Sequence, residues 1–382
     1  MKFTMNRAEL LGAAKRGENV APHDSVLDVL KGLLMETDAA SGVLTMTATN
    51  LEVTLEQKLP CGACDSDAFV LNARLAVSML EKLGGDTVTL EHTPGRPQLR
   101  LSSGDAEYLV PVWERASYPR LEIPFPEDTV KVSGIPGMAK RTVFAAAQDN
   151  SKPLMKCVNL KFTRDGLRAV VGNGSCIVTA KGDESSTGDV SLLVPALSLE
   201  KLARLCSDKD EFRVGTTGKA IVFLKENFTY SARLLEGDYI DAEGLIGSVR
   251  NQFVVLTGVA ELKKALEIAT CVEAGGKVCL TFDGQRLTFR CQGENGTISS
   301  PLDVIPLTGT PQGEFWYLSE QLMSCLRSLS GTVKLGAAQG GMLTLEAEDA
   351  CYLQTGVRPG FAVVKEKKEK KKTVKQPAKK AA

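Results

Sequence analysis

The chain has 382 residues, with 46 basic and 46 acidic side chains, two histidines and ten cysteines. That length suits about three ordinary domains, and no run approaches the roughly 18 apolar residues that a membrane span requires, so no membrane partner is expected. The formal charge of zero hides a division. Lys365 to Ala382 carries nine Lys and two Glu, and removing them from the 46 of each sign leaves 37 basic against 44 acidic residues in the body, net −7. An acidic body with a basic tail is not the pattern of a chain that adheres to nucleic acid over its whole surface.

The opening MKFTMNRAEL has no apolar core of a secretory signal, so a cytoplasmic location is expected. Lys2-Phe3-Thr4-Met5 alternates like a strand, and Asn6 to Arg16 follows at helical spacing. Alternating strands run from Leu44 to Leu59, and Asn72 is placed to cap a helix over Ala73 to Leu83, with Gly84 as its left-handed stop. The same order recurs twice. In the middle, Val130 to Ser133 precedes a helix at Gly137 to Ala147, then strands over Leu160 to Ala180 and a second helix at Leu197 to Leu205, opened by Ser198. Near the end, Phe253 to Leu256 precedes Gly258 to Cys271, then strands over Val278 to Val304 and a helix at Ser319 to Leu329 with Ser319 as its cap.

Each unit therefore reads as two helices backed by antiparallel strands, in the α+β class. Proline clusters at Ile123-Pro-Phe-Pro126, and the polar stretch Gly247 to Gln252, mark linkers. The expected domains are 1–125, 126–248 and 249–362, followed by a Lys-rich tail over 363–382 with too little apolar surface to fold. Such a tail acts either as a solubilising segment or as a tether with salt-sensitive attraction to nucleic acid.

Nothing in the sequence favours catalysis, and neither a cofactor nor a metal is expected. His23 and His92 are too few for a histidine metal cluster, and GxSxG and HExxH do not occur. Cys61-Gly-Ala-Cys64 lacks a second ligand pair and reads as a loop with two thiols. Gly172-Asn-Gly174-Ser lacks the phosphate-loop spacing and reads as a turn between strands.

The helices reverse the sign of the body. They carry Arg7, Lys15, Arg16, Arg74, Lys82, Lys140, Arg141, Lys201, Arg204, Lys263, Lys264 and Arg327 against six glutamates. Basic helices on an acidic body point to one helical surface facing a polyanion while the sheets face outward.

The threefold repeat, the basic helices and the opening MKFTMNRAELL together resemble the bacterial DNA polymerase III beta subunits, the sliding clamps. Leu30-Lys-Gly-Leu-Leu34, Leu44-Thr-Met-Thr-Ala-Thr-Asn-Leu51, Tyr118-Pro-Arg-Leu121 and Leu234-Leu-Glu-Gly-Asp-Tyr239 carry the resemblance further, over about residues 1 to 360. It implies a ring-forming, non-catalytic processivity factor: a head-to-tail homodimer whose helices line a hole around duplex DNA, without sequence preference. It also implies docking of the DNA polymerase III catalytic subunit and the clamp loader through short peptides. Ring closure would fall at Tyr108 and Val110 against Cys271 and Val272. The peptide pocket would be lined by Met155, Gly172, Gly174, Ser175, Cys176, Ile177, Ile240, Leu245, Leu353, Thr355, Val357 and Arg358.

The chain departs from the family pattern in that pocket, where a His-Arg pair is replaced by Ser175-Cys176 and the turn Tyr239-Ile-Asp-Ala242 lacks its proline. A changed peptide preference is therefore expected. In the loop Pro22-His-Asp24-Ser, Asp24 repels phosphate and a protonated His23 would offset it in part. A second reading keeps the clamp fold but gives it a role as a partner-binding scaffold outside replication.

Overall fold

The computed structural model describes residues 1–119, 123, 125–149, 152–164, 166–182, 190–273 and 275–359. The Lys-rich tail, and Arg120 and Leu121 of the Tyr118 motif, lie outside the described residues. Seven α-helices are described: α1 (Arg7–Val20), α2 (Ala73–Lys82), α3 (Ile135–Thr142), α4 (Ala196–Leu205), α5 (Ala242–Ser248), α6 (Val259–Ala269) and α7 (Ser319–Arg327). None is long and apolar enough to cross a membrane. Helices α1 and α2 pack as a pair, as do α3 with α4 and α6 with α7, each pair lying on antiparallel strands.

The strands form four sheets, two of which connect the repeats. Lys2–Asn6, Thr87–His92, Gln98–Ser103 and Ala106–Pro111 form the first, and Gln312–Leu318, Lys277–Asp283, Arg286–Gly293 and Gly296–Asp303 the last. Between them lie two nine-stranded sheets, each shared by two repeats. Phe228–Arg233 of the middle repeat pairs with Val53–Pro60 of the first, Tyr230 standing opposite Leu55. Cys176–Lys181 likewise pairs with Ala350–Gln354 of the third, Val178 opposite Tyr352. Backbone amides thus bond across both repeat boundaries, and the outer sheets end in the edge strands Lys2–Asn6 and Ala106–Pro111 on one side and Gly296–Asp303 and Gln312–Leu318 on the other.

The helices form where periodicity places them, with local adjustments. In α1, Asn6 accepts from the Glu9 amide at 3.1 Å, and Leu10, Ala13, Ala14, Gly17 and Val20 make its buried face. A Cβ on Gly17 would stand 2.5 Å from Leu33 Cδ2, so the helix approaches its sheet closely here and a larger residue would require Leu33 to shift. Asn72 caps α2 as expected, accepting from the Leu75 amide at 3.0 Å. The left-handed residue after α2 is Gly85, at φ +81°, whereas Gly84 simply continues an extended exit from Leu83.

Two expected caps are not caps. Helix α4 begins directly after the strand end Pro195, one residue earlier than expected, and Ser198 is buried inside it. Ser319 is the first helical residue of α7, and its buried hydroxyl has no hydrogen-bond partner among the described residues. In both units the strand runs into the helix without a loop, so burial against the sheet and not a capping side chain fixes the first turn. Helix α3 starts at Ile135 after Gly134 at φ +72°. It ends at Thr142, whose hydroxyl bonds back to the Met138 carbonyl at 2.9 Å, and a 3₁₀ turn over Val143–Ala145 replaces the expected last turn.

A short helix precedes the stretch expected as the second linker and runs into its first two residues. Asp241 accepts from the Gly244 amide at 2.9 Å and starts α5. Its sequence, AEGLIGS, carries two glycines and is too short for a periodic signal. The histidine His92 is buried, with Nδ1 2.7 Å from Asp67 Oδ2 and Nε2 2.8 Å from the Arg96 carbonyl, a structural role.

The join between the first two repeats is tight. A Cβ on Gly215, in Phe212–Thr217, would lie 2.5 Å from the Asp128 carbonyl and 2.6 Å from Pro126 Cβ. Gly215→Ala should therefore cost about 1–3 kcal/mol and lower the urea midpoint. An unchanged midpoint would mean that the 126–128 segment does not pack there.

Candidate functional site

The twelve helix cations divide by what they touch. Arg7 donates from Nε to the Gly85 carbonyl (2.7 Å) and from Nη1 to the Leu80 carbonyl (2.8 Å), so it closes the C-terminal end of α2. Arg16 is half-buried and donates to Gln57, which in turn donates to the Ala13 carbonyl; burial lowers the Arg16 pKa. Lys201 of α4 reaches into the first repeat and donates to the Asn19 and Val20 carbonyls at 3.0 and 3.3 Å. Burial, and then the charge of Arg204, pulls its pKa down. Arg141 pairs with Asp349 at 2.6 Å across the second boundary, and Lys263 donates to the Leu329 carbonyl just past the end of α7 at 3.2 Å. These five cations brace helix ends and repeat boundaries.

The other seven stand further out. Lys15 pairs with Glu81 (2.7 Å), Lys140 with Asp208 (3.1 Å) and Arg204 with Glu200 (2.5 Å), all exposed pairs of the kind worth under about 1 kcal/mol. Arg74 Nη2 lies 2.6 Å from His23 Nδ1. With the guanidinium as donor, that ring nitrogen is the acceptor in this arrangement. Lys82, Lys264 and Arg327 are exposed and make no ion pair among the described residues.

An apolar groove of about 670 Å³ lies where the second and third repeats meet. Of the twelve expected pocket residues, Gly174, Ile177, Leu245, Leu353 and Thr355 line it. The turn at Gly172 to Ser175 is as expected: Gly174 sits at φ +90°, and the Asn173 carboxamide oxygen accepts from the Ser175 and Cys176 amides.

The remaining seven lie elsewhere. Gly172 is buried, and a Cβ there would be 2.9 Å from Ile240 Cδ1, so both belong to the packing beneath the groove. Tyr239 ties that layer together, accepting from the Gly172 amide at 3.1 Å and donating to the Cys157 carbonyl at 3.0 Å; burial pushes its pKa up to about 12. Cys176 points into the core, 1% exposed with Sγ 4.0 Å from Cys325, because strand alternation turns Ile177 outward and its neighbour inward. Ser175 accepts from the Thr355 amide through its carbonyl, at 2.9 Å, and from Gln321 through its hydroxyl, at 2.9 Å. Val357 donates to the Trp316 carbonyl at 2.8 Å and Arg358 accepts from Lys277 at 3.2 Å, so the chain past Thr355 follows the strand Gln312–Leu318. Met155 lies in the 3₁₀ turn Pro153–Lys156, outside the lining.

The groove also takes residues that the sequence did not flag. Ser248, Val249, Arg250, Asn251 and Gln252 form one wall, and Ala338, Gln339 and Met342 another. The first set is the stretch read as a linker; a linker that joins two sheet-sharing repeats necessarily edges the cleft between them.

At the expected ring-closing positions, Val110 is buried, Tyr108 half-buried and the intervening Leu109 58% exposed, so Leu109 is the apolar side chain turned outward on that edge strand. Cys271 is exposed just past α6, donating to the Glu267 carbonyl at 3.3 Å, and Val272 is half-buried beside it. The Cys61 and Cys64 sulfurs lie 3.7 Å apart, and burial followed by the Cys64 contact pushes the Cys61 thiol up to about 12. No cluster of three metal-binding side chains occurs among the described residues.

Three helix pairs on sheets that run through the repeat boundaries are the architecture of the sliding clamps. The beta subunit from DNA polymerase of Streptococcus pyogenes superposes with a TM-score of 0.85 at 21% identity, covering 94% of this chain and all of that one. The sequence carries the same signal: residues 1–122 match the family model for the N-terminal domain of the DNA polymerase III beta subunit, and residues 129–241 that for its central domain. The beta sliding clamp of Bacillus subtilis is 22% identical over 295 residues, 72% of this chain and 76% of that protein. That of Lactococcus lactis is 22% identical over 327 residues, 81% and 85% respectively. The chain belongs to the DNA polymerase III beta subunit family, and its role is that of a DNA sliding clamp; a scaffold outside replication is not favoured.

The two kinds of cation should separate by stability. Lys201→Met leaves the Asn19 and Val20 carbonyls without their cation and should cost about 1–2 kcal/mol, whereas Lys264→Met should stay within about 0.5 kcal/mol. Equal urea midpoints for the two variants would remove Lys201 from the bracing set.

Proposed function

We propose that two copies of this chain close head to tail into a ring around duplex DNA and act there without catalysis, holding the polymerase to its template by topology. Each copy would contribute three domains, 1–125, 126–248 and 249–362. The observation that carries the reading is the pair of outer edges. Both internal boundaries are crossed by antiparallel strand pairing, and of the four edge strands of the outer sheets Ala106–Pro111 carries the outward Leu109 and Gly296–Asp303 packs against α6 beside Cys271, each paired on one side only. A third pairing of the same type, between copies, would satisfy both edges and bring the Leu109 and Cys271 regions into the join.

Within the hole, Arg74, Lys82, Lys264 and Arg327 are the best placed to meet phosphates, with Lys15, Lys140 and Arg204 held in weak exposed pairs that phosphates can replace. Arg7, Arg16, Arg141, Lys201 and Lys263 would contribute field more than contact, because their hydrogen bonds go to protein. Contacts of this kind carry no sequence information and leave the ring able to slide. The groove at the second boundary would take short peptides of the polymerase catalytic subunit and the clamp loader.

Changing Arg74, Lys82, Lys264 and Arg327 together to Glu should abolish retention on nicked circular DNA while light scattering still reports a dimer; undiminished retention would reject these helices as the DNA-facing surface. The ring join has its own readout. Iodoacetamide at pH 8 should alkylate Cys271 in dilute monomer and far more slowly in the dimer. Cys206 should resist in both, because burial and then the Asp210 charge push its thiol up to about 12, and a thiol with so high a pKa is almost wholly protonated at pH 8. Equal labelling of Cys271 at all concentrations would move the join away from α6.

A further inference from the structure

We propose that Cys61 and Cys64 are a modification site: a dithiol that a small-molecule disulfide of the glutathione class converts to an intramolecular disulfide, and that small thiols return to its reduced form. The ring reading above is not needed for it. Both cysteines are free, and their sulfurs are in contact at 3.7 Å, so rotation of either side chain carries them toward the roughly 2.05 Å of a disulfide.

The fold holds the two thiols together. Cys61 directly follows the strand Val53–Pro60, and its amide donates to the Gly42 carbonyl at 2.9 Å. Gly62, at φ +71°, then turns the chain back, and the Cys64 thiol donates to the Asp38 carbonyl at 3.7 Å. A Cβ on Gly42 would lie 2.8 Å from the Gly62 carbonyl oxygen, so the loop is seated closely on the turn that joins Gly32–Asp38 to Val43–Thr49. Positioning of this kind makes closure between the two sulfurs an intramolecular step.

The two thiols are unequal. Cys64 is half-buried and within reach of a reagent, whereas Cys61 is 5% exposed, and burial followed by the Cys64 contact pushes its thiol up to about 12. A thiol so fully protonated is a poor first attacker. Cys64, as thiolate, therefore attacks one sulfur of the reagent, forming a mixed disulfide and releasing one thiolate. Cys61 then gives its proton to water, attacks the Cys64 sulfur and expels the other half of the reagent as a second thiolate. Two protein thiols are oxidised, and one reagent disulfide is reduced to two thiols.

The other cysteines lack one half of this combination. Cys176 and Cys325 lie 4.0 Å apart across the second boundary but are 1% and 0% exposed, so a reagent reaches neither. Cys271 is exposed, but its thiol bonds to the Glu267 carbonyl and not to a second cysteine. The new bond would tie the end of Val53–Pro60, which carries the ladder to the middle repeat, to the segment that enters Asp67–Asn72. Oxidation would thus mark and stiffen the first repeat beside its boundary with the second.

The test uses the full-length protein, reduced, freed of reductant and held with oxidised glutathione at pH 8 before an acid quench and N-ethylmaleimide. The tryptic peptide 59–74 holds both cysteines and no other. It should come out lighter by two hydrogens and without maleimide, and dithiothreitol should restore both labels. Cys61→Ala should keep glutathione on Cys64 at least roughly tenfold longer than the wild type does, because the resolving thiol is gone. Cys64→Ser should leave Cys61 free of glutathione. The wild-type peptide decides even where a variant fails to fold. Two maleimides still on it after prolonged exposure would overturn the proposal, as would glutathione that stays on wild-type Cys64, since Cys61 then does not close on it.

Discussion

Antiparallel pairing of strands from different repeats is the constraint on which the rest of this molecule depends. A helix pair on a small sheet could sit against a second such unit in many ways, but a hydrogen-bonded register admits one. Tyr230 opposite Leu55 and Val178 opposite Tyr352 fix the relative position of three repeats to the precision of a backbone ladder. Side chains then reinforce those joins. Tyr230, fully buried, donates to the Ser198 carbonyl and so ties the shared sheet to α4, while Lys201 and Arg141 cross the two boundaries on the helical side.

A second consequence is that cleft and boundary coincide. Where two repeats share a sheet, the segment linking them must cross from one to the other, and here it folds as α5 and then edges the groove with Val249, Arg250 and Asn251. Function in such a molecule gathers at the joins. The helix faces supply a diffuse field, and the joins supply shape.

The charge pattern has two levels. Twelve cations on six helices set the sign of a surface, and that much follows from counting. Five of the twelve are spent on carbonyls, an amide or a carboxylate of the protein itself, since a helix C-terminus presents unpaired carbonyls and a neighbouring helix often provides the nearest cation. Substitution of all twelve alike would therefore confuse loss of DNA contact with loss of fold.

The sequence by itself determined the repeat, the α+β class and the helix pairs, because hydrophobic periodicity and a cap residue such as Asn72 are local signals that need no partner, and its motifs carried the resemblance to the family. It also located the turn at Gly174, and the family resemblance supplied five of the thirteen residues that line the groove, Ile177 and Leu353 among them. Only the tertiary structure decided that Cys176 faces the core beside Cys325, that His23 accepts from Arg74, and that α4 and α7 begin without side-chain caps. It alone brought Arg250 to the groove and Lys201 to the end of α1. Those outcomes depend on which surface each segment meets across tens to hundreds of residues of chain, and no local pattern of polar and apolar residues carries that distance.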